Sequence, residues 1–176
     1  MPNCQVFPPS YVEQVGCDIE PGRVVAVAFI DEDVTFADSA ALANAANWVG
    51  LDYASDIIVF KEVRGSYAKA AATEIAGKGK QDTRVVGRKH ELNFRVSSVK
   101  NNDNFWNTMN RSTNYTIAWV VGSNYDLLMY VDKNVSIDAA PVIEEGIDSE
   151  IEWDVLVKWS DIDVPVTADV PTGIFT

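Results

Sequence analysis

The stretch Ile151-Glu152-Trp153-Asp154-Val155-Leu156-Val157-Lys158-Trp159 decides the fold class. Ile151, Trp153, Val155, Val157 and Trp159 fall on one side of an extended chain, with Glu152, Asp154 and Lys158 on the other. Successive side chains of a strand point to opposite faces, so this stretch predicts a strand with one buried and one solvated face. The same period of two recurs upstream. Leu92, Phe94 and Val96 alternate with Glu91, Asn93 and Arg95, and Tyr115, Ile117, Trp119 and Val121 alternate with smaller residues. Arg23 to Ile30 and Asp56 to Val63 are β-rich runs, the first reading as a buried strand. Leu127 to Val131, Val135-Ser136-Ile137 and Pro141-Val142-Ile143 supply further short segments.

Two stretches carry helical spacing instead. Asp38 or Ser39 can cap a helix running to Val49, on which Leu42, Ala45, Trp48 and Val49 form one stripe and Gly50 marks the stop. Asn101-Asn102-Asp103-Asn104 can cap a second, carrying Phe105, Trp106 and Met109 on one side. Seven or so strands and two short helices predict a mainly β chain. The expected architecture is an antiparallel β-sandwich or barrel with one or two flanking short helices, a long hairpin and extended terminal arms.

The organisation follows from the punctuation. Residues 1–22 are Pro-rich and aperiodic (Pro2, Pro8, Pro9, Pro21), an N-terminal arm that either lies on a neighbouring surface or is loose. Residues 23–160 form the β domain, and residues 161–176, with Pro165 and Pro171, read as a C-terminal arm. Arg64 to Gly87 mixes an Ala cluster with Gly77-Lys78-Gly79-Lys80 and reads as an extended hairpin or a mobile loop.

At 176 residues the chain fits one domain and can bury roughly 70% of its unfolded surface without a staple. Its first residues lack the basic and apolar stretches of a secretory signal, and no apolar run is long enough to span a membrane. Cys4 and Cys17 are too few for a disulfide framework or a zinc site. Fourteen Lys and Arg against 26 Asp and Glu leave a net charge of −12, which argues strongly against a firm grip on nucleic acid.

Candidate chemistry is sparse. His90 is the one histidine; in Arg88-Lys89-His90-Glu91 it reads as a solvated residue on a polar strand face. Gly77-Lys78-Gly79-Lys80 lacks the glycine spacing and the Ser or Thr of a phosphate loop, so a hairpin tip is expected. Asp31-Glu32-Asp33, Glu144-Glu145 and the Asp161/Asp163 pair lack the ligand order of a calcium loop. All five tryptophans sit on apolar phases, so they are expected in a core or subunit interface and not on a stacking platform. These readings predict no catalytic, cofactor-binding or metal residue. Lys78, Lys80, Arg84, Arg88 and Lys89 cluster against an acidic background; they either meet an acidic patch on another copy or form a solvated loop face.

The order of these elements resembles bacteriophage tail tube (major tail) proteins, including ring-forming tail proteins of crAss-like phages of gut Bacteroidetes. The residues carrying the likeness are the Arg64 to Gly87 excursion with Glu91 to Val96, the helix Asp103 to Met109 running into Tyr115 to Trp119, and the closing strand Glu150 to Trp159. The likeness spans roughly residues 56–160, whereas the helix at Ser39 to Val49 and the prolines of the first arm depart from it. The resemblance implies a structural virion protein, made in the bacterial host cytoplasm and placed in the phage tail. It would join copies of itself and neighbouring tail or head-tail proteins into a ring or tube through which DNA passes without specific binding. Tyr67, Lys78, Lys80 and Arg84 are the expected oligomer-interface residues. A β-sandwich binding or adaptor module, at a head-tail junction or on a fibre, is the other reading.

Overall fold

The computed structural model describes residues 22–53, 55–79, 82–97, 99–145 and 151–176. The N-terminal arm expected at 1–22, with Cys4 and Cys17, therefore lies almost wholly outside the described residues. The described chain is mainly β, with ten strands and three short helices. The strands are β1 (Val24–Asp31), β2 (Ile57–Phe60), β3 (Arg64–Tyr67), β4 (Ala71–Ala76), β5 (Thr83–Val96), β6 (Tyr115–Val121), β7 (Leu127–Val131), β8 (Ser136–Val142), β9 (Glu152–Asp161) and β10 (Val166–Ala168). All pair antiparallel in a single sheet, ordered β10-β7-β6-β1-β3-β5-β9-β8, with β2 on β1 and β4 on β5.

The sheet curls into a sandwich without closing as a barrel. One half is β1, β6 and β7; the other is β5, β9 and β8. Between them lies a core of Val27, Phe29, Leu92, Phe94, Trp119 and Val155 with their neighbours. On the outer side of β1 and β6 a second core gathers Ala26, Ala28, Ile30, Ala118, Val120, Leu128 and Tyr130. β1 is thus buried on both faces, as its unbroken apolar run requires.

Helix α3 (Asp103–Met109) plugs the open side of the curl: Trp106 stacks on Phe60, centroids 5.3 Å apart, and lies 6.0 Å from Trp153. Asn110, just past α3, finishes the closure. Its amide nitrogen donates to the Ala139 carbonyl at 2.9 Å, and its amide oxygen accepts from the Ala139 N–H at 2.8 Å. One side chain thereby replaces the neighbouring strand that β8, at the sheet edge, lacks.

The helix expected from Ser39 to Val49 is broken in two, α1 (Ser39–Ala43) and α2 (Ala46–Val49). Asp38 caps the first, accepting from the Ala41 N–H at 2.8 Å. Asn44 breaks it, because its side-chain oxygen takes the Ala46 N–H and offers the backbone a second start. The break turns Val49 outward (74% exposed), so it leaves the stripe predicted for it, while Leu42 and Trp48 stay buried. Trp48 packs against Phe36 and Phe175 over the second core.

The 161–176 segment, expected as an extended arm, is docked on the body. β10 pairs with β7, and Ile174 and Phe175 are buried in the second core. Proline spacing concealed this, because extended chain can still bury alternate side chains. Two other positions invert their sequence phase: Ile151 is half-exposed, and Glu152 is buried beside Arg64 and Arg95.

Replacing Asn110 strips both hydrogen bonds from Ala139, a 5% exposed residue. Asn110→Ala is expected to lower unfolding free energy by about 1–3 kcal/mol in urea titration. A loss below about 0.5 kcal/mol would show that the edge needs no clamp.

Candidate functional site

His90, expected on a solvated face, is 1% exposed. It shares the strand phase of Leu92 and Phe94, both fully buried, and so points into the sandwich. The charged neighbours Arg88, Lys89 and Glu91 disguised that phase. Opposite it on β9 sits Trp159, with rings nearly parallel and centroids 5.1 Å apart. The Tyr67 hydroxyl lies 2.7 Å from Nδ1, and Nε2 lies 3.2 Å from the Asp161 carbonyl oxygen. A carbonyl only accepts, so this network assigns the proton to Nε2 and leaves Nδ1 to accept from Tyr67. With both nitrogens engaged, His90 ties β3 to β9.

All five tryptophans are buried, at 0–6% exposure. Trp119 packs 5.1 Å from Tyr67 and 5.6 Å from Trp159. The Nε1–H groups of Trp119, Trp153 and Trp159 have no partner among the described residues. Each orphan costs about 1–3 kcal/mol. Burying an indole of roughly 200 Å² returns about 5 kcal/mol, so packing wins.

The carboxylate clusters are turn formers and ion-pair partners. Asp31 Oδ1 accepts from the Asp33 N–H at 3.0 Å, and Asp161 Oδ1 from the Asp163 N–H at 3.3 Å. Glu144 pairs with Arg95 at 3.0 Å, and Glu32 accepts from Asn134 at 2.7 Å. Among the described residues, no three His, Cys, Asp or Glu converge where they could hold a metal ion. None of the helices described is long and apolar enough to cross a membrane.

What stands out is the arm. β9 leaves β5 at Asp161, opposite Arg88; beyond that point β5 pairs only with β4. Every residue of β4 is exposed, including Ile75 at 43%, and Val86 on β5 is 41% exposed. Gly79 takes φ 70° at the tip, and the Gly77 N–H donates to the Asp82 carbonyl at 2.8 Å. The register slips between Thr73 and Glu74, so Val86 is an extra residue with no partner across the arm. Charge is segregated the same way. Residues 64–89 hold seven of the 14 Lys and Arg but two of the 26 Asp and Glu, a net +5 that leaves −17 on the rest.

The expected interface residues separate accordingly. Lys78 lies at the arm's turn and Arg84 on its β5 strand, both exposed. Lys80 lies outside the described residues. Tyr67 is half-buried at the arm's root, held in the His90 and Trp119 cluster. Among the surface grooves, one of about 420 Å³ runs past Tyr53, Ile58, Phe105 and Met109, and one of about 430 Å³ passes Lys89, His90, Ser136, Lys158 and Trp159. Sequence reasoning singled out neither, since each joins residues distant along the chain. No family model, curated protein or solved structure matches this chain.

Burial first, and Asp132 beside it, push the Tyr130 phenol up to about 12, with the Thr116 hydroxyl offsetting part of the rise. Burial also raises Tyr67, against an opposing pull from Arg88. A raised phenol leaves stability intact below its ordinary value of 10.0 and drains it as pH climbs through the folded value. Unfolding free energy should therefore fall between about pH 10 and pH 12, and less steeply in Tyr130→Phe. Urea titrations across that window check it; identical slopes for the two proteins would refute it.

Proposed function

We propose that this chain is a structural virion protein that assembles with copies of itself into a phage tail ring or tube segment conducting DNA. The arm carries the reading. A two-stranded hairpin is marginal in water on its own, and here both strands lose the rest of the sheet beyond Arg88. Two open edges and exposed Ile75 and Val86 form a template for pairing with another chain. Its +5 charge against a −17 remainder suits contact with the acidic body of a second copy. One such contact, repeated head to tail, closes into a ring when the rotation allows.

The acidic remainder also suits a bore. Phosphates are repelled by carboxylates, whereas a wall of Lys and Arg would hold DNA in a salt-dependent trap. The assignment to a phage tail rests on the resemblance in element order across residues 56–160. The reading assigns a passive role, in keeping with His90 and the carboxylates that hold turns and arginines being engaged in structural hydrogen bonds and ion pairs.

Purified protein in negative-stain electron microscopy and light scattering is expected to give rings or tubes of many copies. Replacing residues 72–86 by a short Gly-Ser turn should leave a folded monomer whose β spectrum weakens only by the arm's own share of strand. A wild-type chain that stays a 19.4 kDa monomer at every concentration would overturn the reading.

A further inference from the structure

The arm's apolar residues need a receiving surface, and one other surface of the described chain has matching chemistry. Most of the remaining exposed large apolar residues are scattered, but Ile162, Val164 and Val166 follow one another at every second position just after β9. They are 51%, 72% and 46% exposed. Asp161 and Asp163 interleave with them. Beside them runs a groove of about 240 Å³ lined by Val164 and Val166 together with Tyr130 and Trp159, with Asp132, Lys133, Asp161 and Asp163 also in its lining.

The two surfaces are mirror images in chemistry. On the arm, Val86 is the bulge residue, with Arg84 before it and Ile75 on the strand across. On the body, Val164 follows Asp163 and precedes the buried Pro165, which has no N–H to offer an incoming strand. Recognition there must therefore use side chains more than backbone pairing. Within one chain the two surfaces do not cover each other, since Ile75, Val86, Ile162 and Val164 are all exposed. Among the described residues neither Arg84 nor Asp163 takes part in a salt bridge.

We propose that the groove after β9 is the acceptor for the β4–β5 arm of a second copy, with Val86 seated against Val164 and Arg84 paired with Asp163. The inference rests on the self-assembly reading and names its contact. An apolar centre excludes water, and the flanking ion pair sets which way the arm lies. Arm and groove are different patches, so the contact is heterologous and propagates around a ring.

The test is a charge exchange read by sedimentation velocity across a concentration series, on Arg84→Glu, Asp163→Arg and the double variant. Both positions are exposed, so thermal unfolding of each variant should match wild type. Each single change should raise the concentration needed for assembly by about tenfold or more, and the double should restore it to within about threefold. Val164→Ser should weaken assembly without changing its dependence on salt. If wild type assembles and the single changes do nothing, the groove is not the acceptor, although the assembly reading stands. Singles that fail without rescue in the double overturn the pairing. A wild type that never assembles overturns both.

Discussion

The nine-pair register between β5 and β9, from Arg88 opposite Asp161 to Val96 opposite Trp153, is the constraint on which the rest depends. Where it holds, β9 covers one side of β5, β4 and β3 cover most of the other, and the alternate residues His90, Leu92 and Phe94 fill the sandwich. Where it ends, the same strand runs on as half of an exposed arm. The His90 contacts mark that boundary: Trp159 stacks across the register, Tyr67 binds one nitrogen and the Asp161 carbonyl the other. A buried polar group satisfied on both sides is costly to displace. The root of the arm is thereby fixed on β3 and β9.

That arrangement separates two jobs along one strand. The body end of β5 supplies packing, with indoles and phenyls outweighing three N–H groups that have no partner among the described residues. The free end supplies charge and open edges. Two copies of net charge −12 would repel at long range, and attraction would arise only where the +5 arm of one comes against the −17 remainder of the other. Such a balance favours contact in one orientation over indiscriminate aggregation.

Much of the fold was legible because burial follows a period of two. The closing strand follows from alternation, the burial of β1 from its unbroken apolar run, the inward tryptophans from strand alternation and helical stripes, and the glycine-tipped hairpin from turn chemistry. Asn44 shows where local reasoning fails. Helix spacing continued through it, but its side chain competed for the backbone and split the helix. His90 fails for another reason: the phase was present in the sequence, and the charges on either side outweighed it in the reading. Of the expected interface residues, Lys78 and Arg84 proved exposed on the arm, whereas Tyr67 belongs to the packed root.

By itself the sequence determined that the chain is mainly antiparallel β, that its indoles are inside and that its basic residues bunch in an acidic polymer. Those properties are local, set by side-chain alternation and composition. Only the tertiary structure decided that β9 stops at Asp161, opposite Arg88, that the C-terminal residues fold back onto β7, that Asn110 closes an edge strand, and that Val164 comes to line one groove with Tyr130 and Trp159. Each of these joins residues far apart in the chain, and which distant partners meet is settled by competition among all possible pairings in three dimensions.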